Sequence, residues 1–477
     1  MAALEAAPRP QTRAPALPPG PAWPPAVQAA LWAIRAPQLT RAAHARFGST
    51  FTLRLGTSPP VVVTTDRDAA RRLLTGDPLT KRHGNDVLRP MVRDRSVLLL
   101  DGAEHLARRR LLLPPFHGER VQAYARLMGD LVEGELDHWR PGEVVAVLPV
   151  AQDVALEVIL RAVLGISDAA ERARVGALVE DLVAYPTGRL RRGVRRREPR
   201  RRSGIPGRAG ELAQTLATLP SPAVLTFFPE IKGRENLVAR RWWTLRDRVD
   251  ALLDVHIEAV RADRRLAERD DVLALLVQAR DDDGRGLSTA DLRDELWALI
   301  AAGHETTAAT LAWATQRLAF APEVQERAAA AVAAGDRRFV QALVREVLRL
   351  HTPVSLAAVR ILDEPFEVDG HLVPAGTQIA IDGPNIHLDP ELWPAPHELR
   401  PERFLGDGAP PYAWLPFGGG ARRCIGAALA ELEVEVALTA ILRRFRLLPA
   451  APRPEAGARR AIVLVPHAGG RVRLAAR

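Results

Sequence analysis

The chain has 477 residues, 47% hydrophobic and 26% charged, which suits a large packed core and excludes global disorder. Its net charge of +9 is concentrated in residues 189–208, with ten Arg and one Glu; the remainder balances at 56 basic and 56 acidic residues, arguing against a nucleic-acid partner. The single cysteine, Cys424, excludes an intrachain disulfide, a four-cysteine zinc site and a cysteine-held iron–sulfur cluster.

Residues 1–25 contain eight prolines and no apolar core segment. That predicts an extended or disordered lead, and neither a signal peptide nor a membrane anchor. No later run of 18 apolar residues occurs, so a soluble, cytoplasmic protein is expected. Ser49–Thr65 alternates as a hairpin, with Phe51, Leu53 and Leu55 before a turn at Gly56–Pro60 and Val61–Thr64 after it. From about 103 to 331 the periodicity is helical, and helix continues to His351, where Thr352-Pro353 stops it. The Arg-rich run 189–208 interrupts this as a solvated, self-repelling loop. Ser288–Ala321 reads as one helix of about 50 Å, opened by a capping-box variant at Ser288-x-x-Asp291 and ended by Pro322. Residues 355–416 are rich in Pro and Gly with short strand-like runs at Ile361–Val368 and Gln378–Ile381. Helix resumes after Gly426, and Ile462–Pro466 with Arg471–Leu474 predicts a closing hairpin around Ala468-Gly469-Gly470. The βαβ rhythm of a doubly wound sheet is missing. The fold class is therefore mainly α with a small β-sheet region.

Several motifs fail on inspection. His304-Glu305 begins like a zinc-protease helix, but Ala308 stands where the second histidine is needed. Asp281, Asp283 and Gly286 resemble a calcium loop, yet Arg285 and Leu292 occupy ligand positions. No phosphate-binding loop, dinucleotide fingerprint or nucleophile elbow occurs.

The lone cysteine sits in Phe417-Gly-Gly-Gly-Ala-Arg-Arg-Cys-Ile-Gly426 at the start of a helix. Glycines let a backbone approach a neighbour closely. The helix dipole and two arginines predict a thiol pKa lowered from about 8.5 towards neutral, suiting either a nucleophile or a metal ligand.

Phe417-x-x-Gly420-x-Arg422-x-Cys424-x-Gly426 resembles the haem-binding loop of the cytochrome P450 family at every fixed position. Ala302-Gly303-His304-Glu305-Thr306-Thr307, in the middle of the predicted long helix, resembles the family's oxygen-activation motif. Glu346-x-x-Arg349 with Arg403 resembles its buried carboxylate–guanidinium triad. The resemblance runs from about Pro18 to Leu474, with one departure: the region 185–222 is longer and more basic than the family's lid segment.

This likeness implies a single prism-shaped haem domain over 26–477, behind the lead 1–25, holding haem b between the Ser288 helix and the Cys424 loop. It implies monooxygenation of a lipophilic small molecule with O₂. Cys424 is implied as axial iron ligand, Phe417 as part of the haem loop, and Thr306 with Glu305 as the alcohol–acid pair organising protons. His105, Arg109, Arg360 and Arg422 occupy the family's propionate positions. Electrons are expected from a separate ferredoxin or flavodoxin-type protein with its reductase, since the chain has no flavin or nicotinamide motif. Arg108, Arg110 and Arg423 are candidates for its docking face, and a monomer is expected. Segments 82–98, 180–230, 296–303, 354–359 and 466–470 are expected to face a substrate such as a fatty acid, terpenoid or polyketide. A peroxide-driven peroxygenase and a non-catalytic haem or ligand-binding protein remain as other readings.

Overall fold

A computed structural model describes residues 15–184 and 237–477, apart from 57, 58, 77–80, 407 and 461. The run 189–208, the first fourteen residues of the lead and most of 180–230 lie outside the described residues. From Ala16 the lead is extended and tied down: Ala16 N–H donates to Leu372 O (3.0 Å), and Thr52 donates to Pro19 O from its backbone (2.9 Å) and to Pro18 O from its hydroxyl (2.7 Å).

Helix α1 (Pro25–Phe47) begins with proline at its first position and kinks at Arg35, two residues before an internal proline, Pro37. It covers the expected hairpin, β1 (Thr50–Leu53) and β2 (Val61–Thr64), paired antiparallel. Alternation sorts the valines: Val61 and Val63 pack with Trp32 and Phe51, while Val62 packs with Ala70 and Leu73 of α2 (Arg67–Thr75). Then follow β3 (Lys81–His83), α3 (Arg89–Val92), α4 (Gly102–Leu112), α5 (Glu119–Leu136), β4 (Val144–Ala146), α6 (Val147–Val158), α7 (Ala169–Ala184), α8 (Leu237–Arg261) and α9 (Val272–Gln278).

Helix α10 (Thr289–Ala319) runs through the centre. Its start is fixed by a full capping box: Asp291 N–H donates to Ser288 Oγ and Ser288 N–H to Asp291 Oδ2, both at 3.1 Å. Leu292, Leu296 and Ile300 join one core with Leu160, Leu253 and Ile257; Ala308, Ala312 and Trp313 join another with Val347, Leu438 and Val465. The turn between those cores carries Gly303 and Thr306 and borders a cavity.

The helical stretch expected up to His351 is divided into α11 (Pro322–Ala333) and α12 (Arg337–Leu350), with Asp336 accepting from Arg338 N–H as the N-cap of α12 (2.9 Å). Strands β5 (Ala358–Leu362), β6 (Phe366–Val368), β7 (His371–Val373) and β8 (Gln378–Ile381) follow, so the run 361–368 is two strands divided by a turn. A five-stranded sheet has the order β1-β2-β8-β5-β3, with only β2 and β8 parallel. After α13 (Gly383–His387) the cysteine loop leads into α14 (Ala427–Arg444), then β9 (Phe445–Pro449), β10 (Gly457–Arg460), β11 (Val463–Pro466) and β12 (Arg471–Ala476).

The closing hairpin does not form. β11 pairs with β10, while β12 pairs with β9 and with β4. Gly470 explains the divergence: its φ is +70°, and a Cβ there would stand 2.8 Å from Ala312 O, so the chain is pressed onto α10 and leaves on another course. The described residues are mainly α with small sheets, and no described helix is long and apolar enough to cross a membrane.

Candidate active site

The loop from Phe417 to Gly426 is closed by Cys424 N–H donating to Phe417 O at 2.9 Å. Gly420 has φ +61°, and a Cβ on it would lie 1.6 Å from Leu74 O, so no other residue fits. Cys424 is exposed, but onto the wall of a cavity of about 770 Å³. Its thiol pKa is not lowered. Desolvation raises it above the ordinary value, against the Gly426 N–H and the charges of Arg423 and Arg109. The expectation of a low value fails because desolvation outweighs these charges, while Arg422 is paired with Asp101 (2.7 Å). A coordinated metal cation reverses that balance, since a ligating thiol is deprotonated outright.

His105, Arg109, Arg360 and Arg422 come together on the same cavity wall. His105 and Arg109 lie one turn apart on α4, Arg360 is on β5, and Arg422 precedes the cysteine by two residues. Asp101 is the one carboxylate paired with this group, through Arg422; among the described residues neither Arg109 nor Arg360 has an ion-pair partner. Arg360 has a pKa lowered to about 10 by burial and by Arg422. His105 is lowered to about 3 by burial, then by Arg422, Arg109 and Arg360, and its Nδ1 is buried without a partner. Three guanidiniums and a neutral imidazole in one buried wall require an anion. A flat apolar group carrying two carboxylates beside a thiolate-binding metal, as in haem, meets that requirement.

Thr306 faces the cavity and donates from Oγ1 to Ala302 O at 2.6 Å. Glu305 is not on the cavity wall: its Oε1 accepts from Gln152 Nε2 of α6 at 2.6 Å, and its Oε2 is buried without a partner. The structure thus gathers Cys424, Phe417, His105, Arg109, Arg360, Arg422 and Thr306 around one space and sets Glu305 just outside it.

Glu346, Arg349 and Arg403 lie away from that space. Arg349 donates to both Glu346 oxygens (2.7 and 2.8 Å), and Arg403 Nε reaches Glu346 Oε1 at 3.3 Å. Arg349 Nη1 also donates to His387 O (2.7 Å) and Pro396 O (2.8 Å). Leu415 N–H donates to His387 Nε2 (2.8 Å), so the ring proton is on Nδ1 and goes to Thr352 Oγ1 (2.8 Å), whose hydroxyl donates to Leu348 O (2.7 Å). His387 therefore splices the ion-paired core to the strand of chain that becomes the cysteine loop. As a buried histidine in a Pro-rich stretch it gave no sequence signal.

Two further expectations are corrected. Arg108 cannot belong to a docking face, because it is nearly buried and bonded to Asp291 (2.9 Å) and Glu295 (3.1 Å) of α10; Arg110 and Arg423 stay exposed. Residues 466–470 do not line the cavity, whereas 84–88, 298–299, 302–303 and 354–359 do.

Glu433 of α14 also lines the cavity and was missed, since one carboxylate among Glu431, Glu433 and Glu435 carries no mark of its own. Burial alone pushes its pKa up to about 8. The fold therefore keeps a proton that the unfolded chain releases near about 4.3, and stability falls as pH rises between those values. Glu433→Gln should remove that slope: between about pH 5 and about pH 8 the urea midpoint of the wild type should drop further than the variant's. Parallel slopes would show the carboxylate to be stabilised by something else.

A family model described as Cytochrome P450 matches residues 18–470. The chain is 35% identical over 429 residues to the putative cytochrome P450 138 of Mycobacterium tuberculosis, covering 90% of this chain and 89% of the relative. It is 36% identical over 471 residues to the putative cytochrome P450 135B1 of Mycobacterium bovis, covering 96% and 92%. Among solved structures, the retinoic acid-bound cyanobacterial CYP120A1 superposes with a TM-score of 0.79 at 22% identity, covering 97% of this chain and 100% of that one. The haem domain of cytochrome P450DA gives 0.77 at 21%, covering 98% and 99%. These two share the fold. With a family match over nearly the whole length, the chain belongs to the cytochrome P450 family and is a cytochrome P450 monooxygenase, an oxidoreductase that works with a haem iron, O₂ and electrons from a redox partner.

Proposed function

We propose that Cys424 is the axial thiolate ligand of a haem b whose propionates are held by His105, Arg109, Arg360 and Arg422, and that the substrate is a lipophilic small molecule. The observation carrying this reading is the cavity wall itself: one thiol, a cluster of buried and half-buried cations on one side, and a mostly apolar lining elsewhere. When bound, the haem supplies reductive activation of O₂, with one oxygen atom entering the substrate and the other leaving as water. The protein's part is to bind, orient and manage protons. Leu88, Met91, Val97, Leu299 and Val354 present hydrocarbon to the substrate and exclude water. Thr306 presents a hydroxyl at the cavity surface, and the neighbouring Glu305 is the acid that resupplies its proton. Electrons come from a separate ferredoxin or flavodoxin-type protein.

The first test is the carbon monoxide difference spectrum of the dithionite-reduced protein. A Soret band at the long wavelength of thiolate ligation supports the assignment of Cys424; a short-wavelength band or no haem overturns it. Thr306→Ala should bind haem as the wild type does, because among the described residues its hydroxyl is bonded only to Ala302 O. Product formed per reductant consumed should fall by about tenfold or more. Unchanged coupling would remove Thr306 from the relay.

A further inference from the structure

We propose that Gln152 is a positioning residue for proton delivery, its amide holding the Glu305 carboxylate at the seam between α6 and α10, ready to be refilled and off the cavity. This rests on the assignment of Glu305 and Thr306 as the acid and alcohol of the relay.

Four observations carry it. Gln152 Nε2 donates to Glu305 Oε1 at 2.6 Å, a short contact of the charge-assisted kind. Glu305 Oε2 is buried with no partner, an expensive arrangement that leaves the carboxylate with a standing tendency to turn towards a second donor. Ala302, Gly303, Thr306 and Thr307 all line the cavity and Glu305 does not, although its side chain remains 20% exposed. Finally, Gln152 is a half-buried amide on the helix face that also carries the buried apolar residues Leu148, Ala151 and Ala155. The backbone carbonyl of Gln152 also faces the ring of His304, whose pKa burial lowers. One residue of α6 thereby contacts both side chains that precede Thr306.

The step is a proton transfer and nothing is oxidised or reduced in it. At the seam the Glu305 carboxylate, held in place by the Gln152 N–H, takes a proton from solvent. It turns, gives that proton to Thr306 Oγ1, and the hydroxyl releases its own proton into the cavity. The carboxylate then returns to Gln152. Without the donor the carboxylate is no longer brought back to the seam, so refilling, and with it proton delivery to Thr306, slows.

Gln152→Met keeps length and apolar packing but removes the N–H; Gln152→Leu is the second variant should the first misfold. With the haem-loaded protein, a surrogate ferredoxin and reductase, and styrene as probe, the share of consumed O₂ released as hydrogen peroxide should rise about threefold, and the solvent isotope effect should grow. Peroxide-driven epoxidation of styrene, which needs no relay, should change by less than the reductant-driven yield. In a Glu305→Gln background the Gln152 substitution should add nothing. A urea-unfolding double-mutant cycle, independent of turnover, should give non-additive effects for the two positions. If Glu305→Gln raises peroxide release and Gln152→Met does not, this proposal fails and the relay stands. If Glu305→Gln itself is silent, the relay reading fails and takes the proposal with it. An equal loss of peroxide-driven and reductant-driven activity, or additive unfolding effects, would reduce Gln152 to packing and overturn its role.

Discussion

Glu346→Gln should give a protein that is expressed with little or no haem and unfolds well below the wild-type urea midpoint. The carboxylate is fully buried and holds Arg349, itself fully buried, through two bonds, with Arg403 and the Arg400 N–H (2.9 Å) completing its shell. An amide keeps the shape but not the charge, so two guanidiniums are left facing each other in the interior. Breaking a buried pair in this way costs about 3–5 kcal/mol, against a total stability of about 5–15 kcal/mol for a folded domain. The damage also travels: Arg349 braces the His387 carbonyl, and the His387 ring fixes Leu415 at the entrance to the cysteine loop. Haem content should therefore fall more steeply than helicity. A variant with normal haem content and a midpoint within about 1 kcal/mol of wild type would show that the loop does not depend on this network.

Cys424→Ser should act by the opposite route. The thiol faces a cavity and accepts from the Gly426 N–H, a donor that a hydroxyl also satisfies. Stability of the haem-free protein should stay within about 1 kcal/mol of wild type. What the substitution removes is the proposed iron ligand: the long-wavelength band in the carbon monoxide spectrum should be lost and reductant-driven oxygenation should fall to the level of free haem. Retention of that band in the serine variant would mean that another group reaches the iron. Comparing the two variants separates residues that build the site from the residue that does the chemistry.

The features legible in the sequence are those in which a local pattern meets a local cause. Ser288 and Asp291 cap α10 through bonds three residues apart, and α14 spans Ala427–Arg444 directly after the glycine that ends the cysteine loop. Strands whose partners are far away were less legible. Three residues, Val144–Ala146, are too few for alternation to register, and they become a strand only because β12 reaches them from more than three hundred positions away. The thiol pKa was misjudged for a related reason: sequence shows which charges are near, but desolvation and the diversion of Arg422 to Asp101 are properties of the folded chain. The same holds for Arg108, whose two acidic partners sit almost two hundred residues later.

That last contact also bears on how the substrate chamber can change. Glu295 Oε1 accepts from Arg108 Nη1 (3.1 Å) and from Val97 N–H (2.8 Å), Asp294 Oδ2 accepts from Arg95 N–H (3.2 Å), and Arg93 is paired with Asp250. The segment that lines the chamber at 84–98 is thus riveted to α10, the helix that carries Thr306, and through Arg93 to α8. A loop exchanged from another member of the family would arrive without its rivets unless positions 108, 250, 294 and 295 travelled with it. The heritable module of selectivity in this chain is therefore a loop, a helix turn and four distant side chains, inherited or transplanted together.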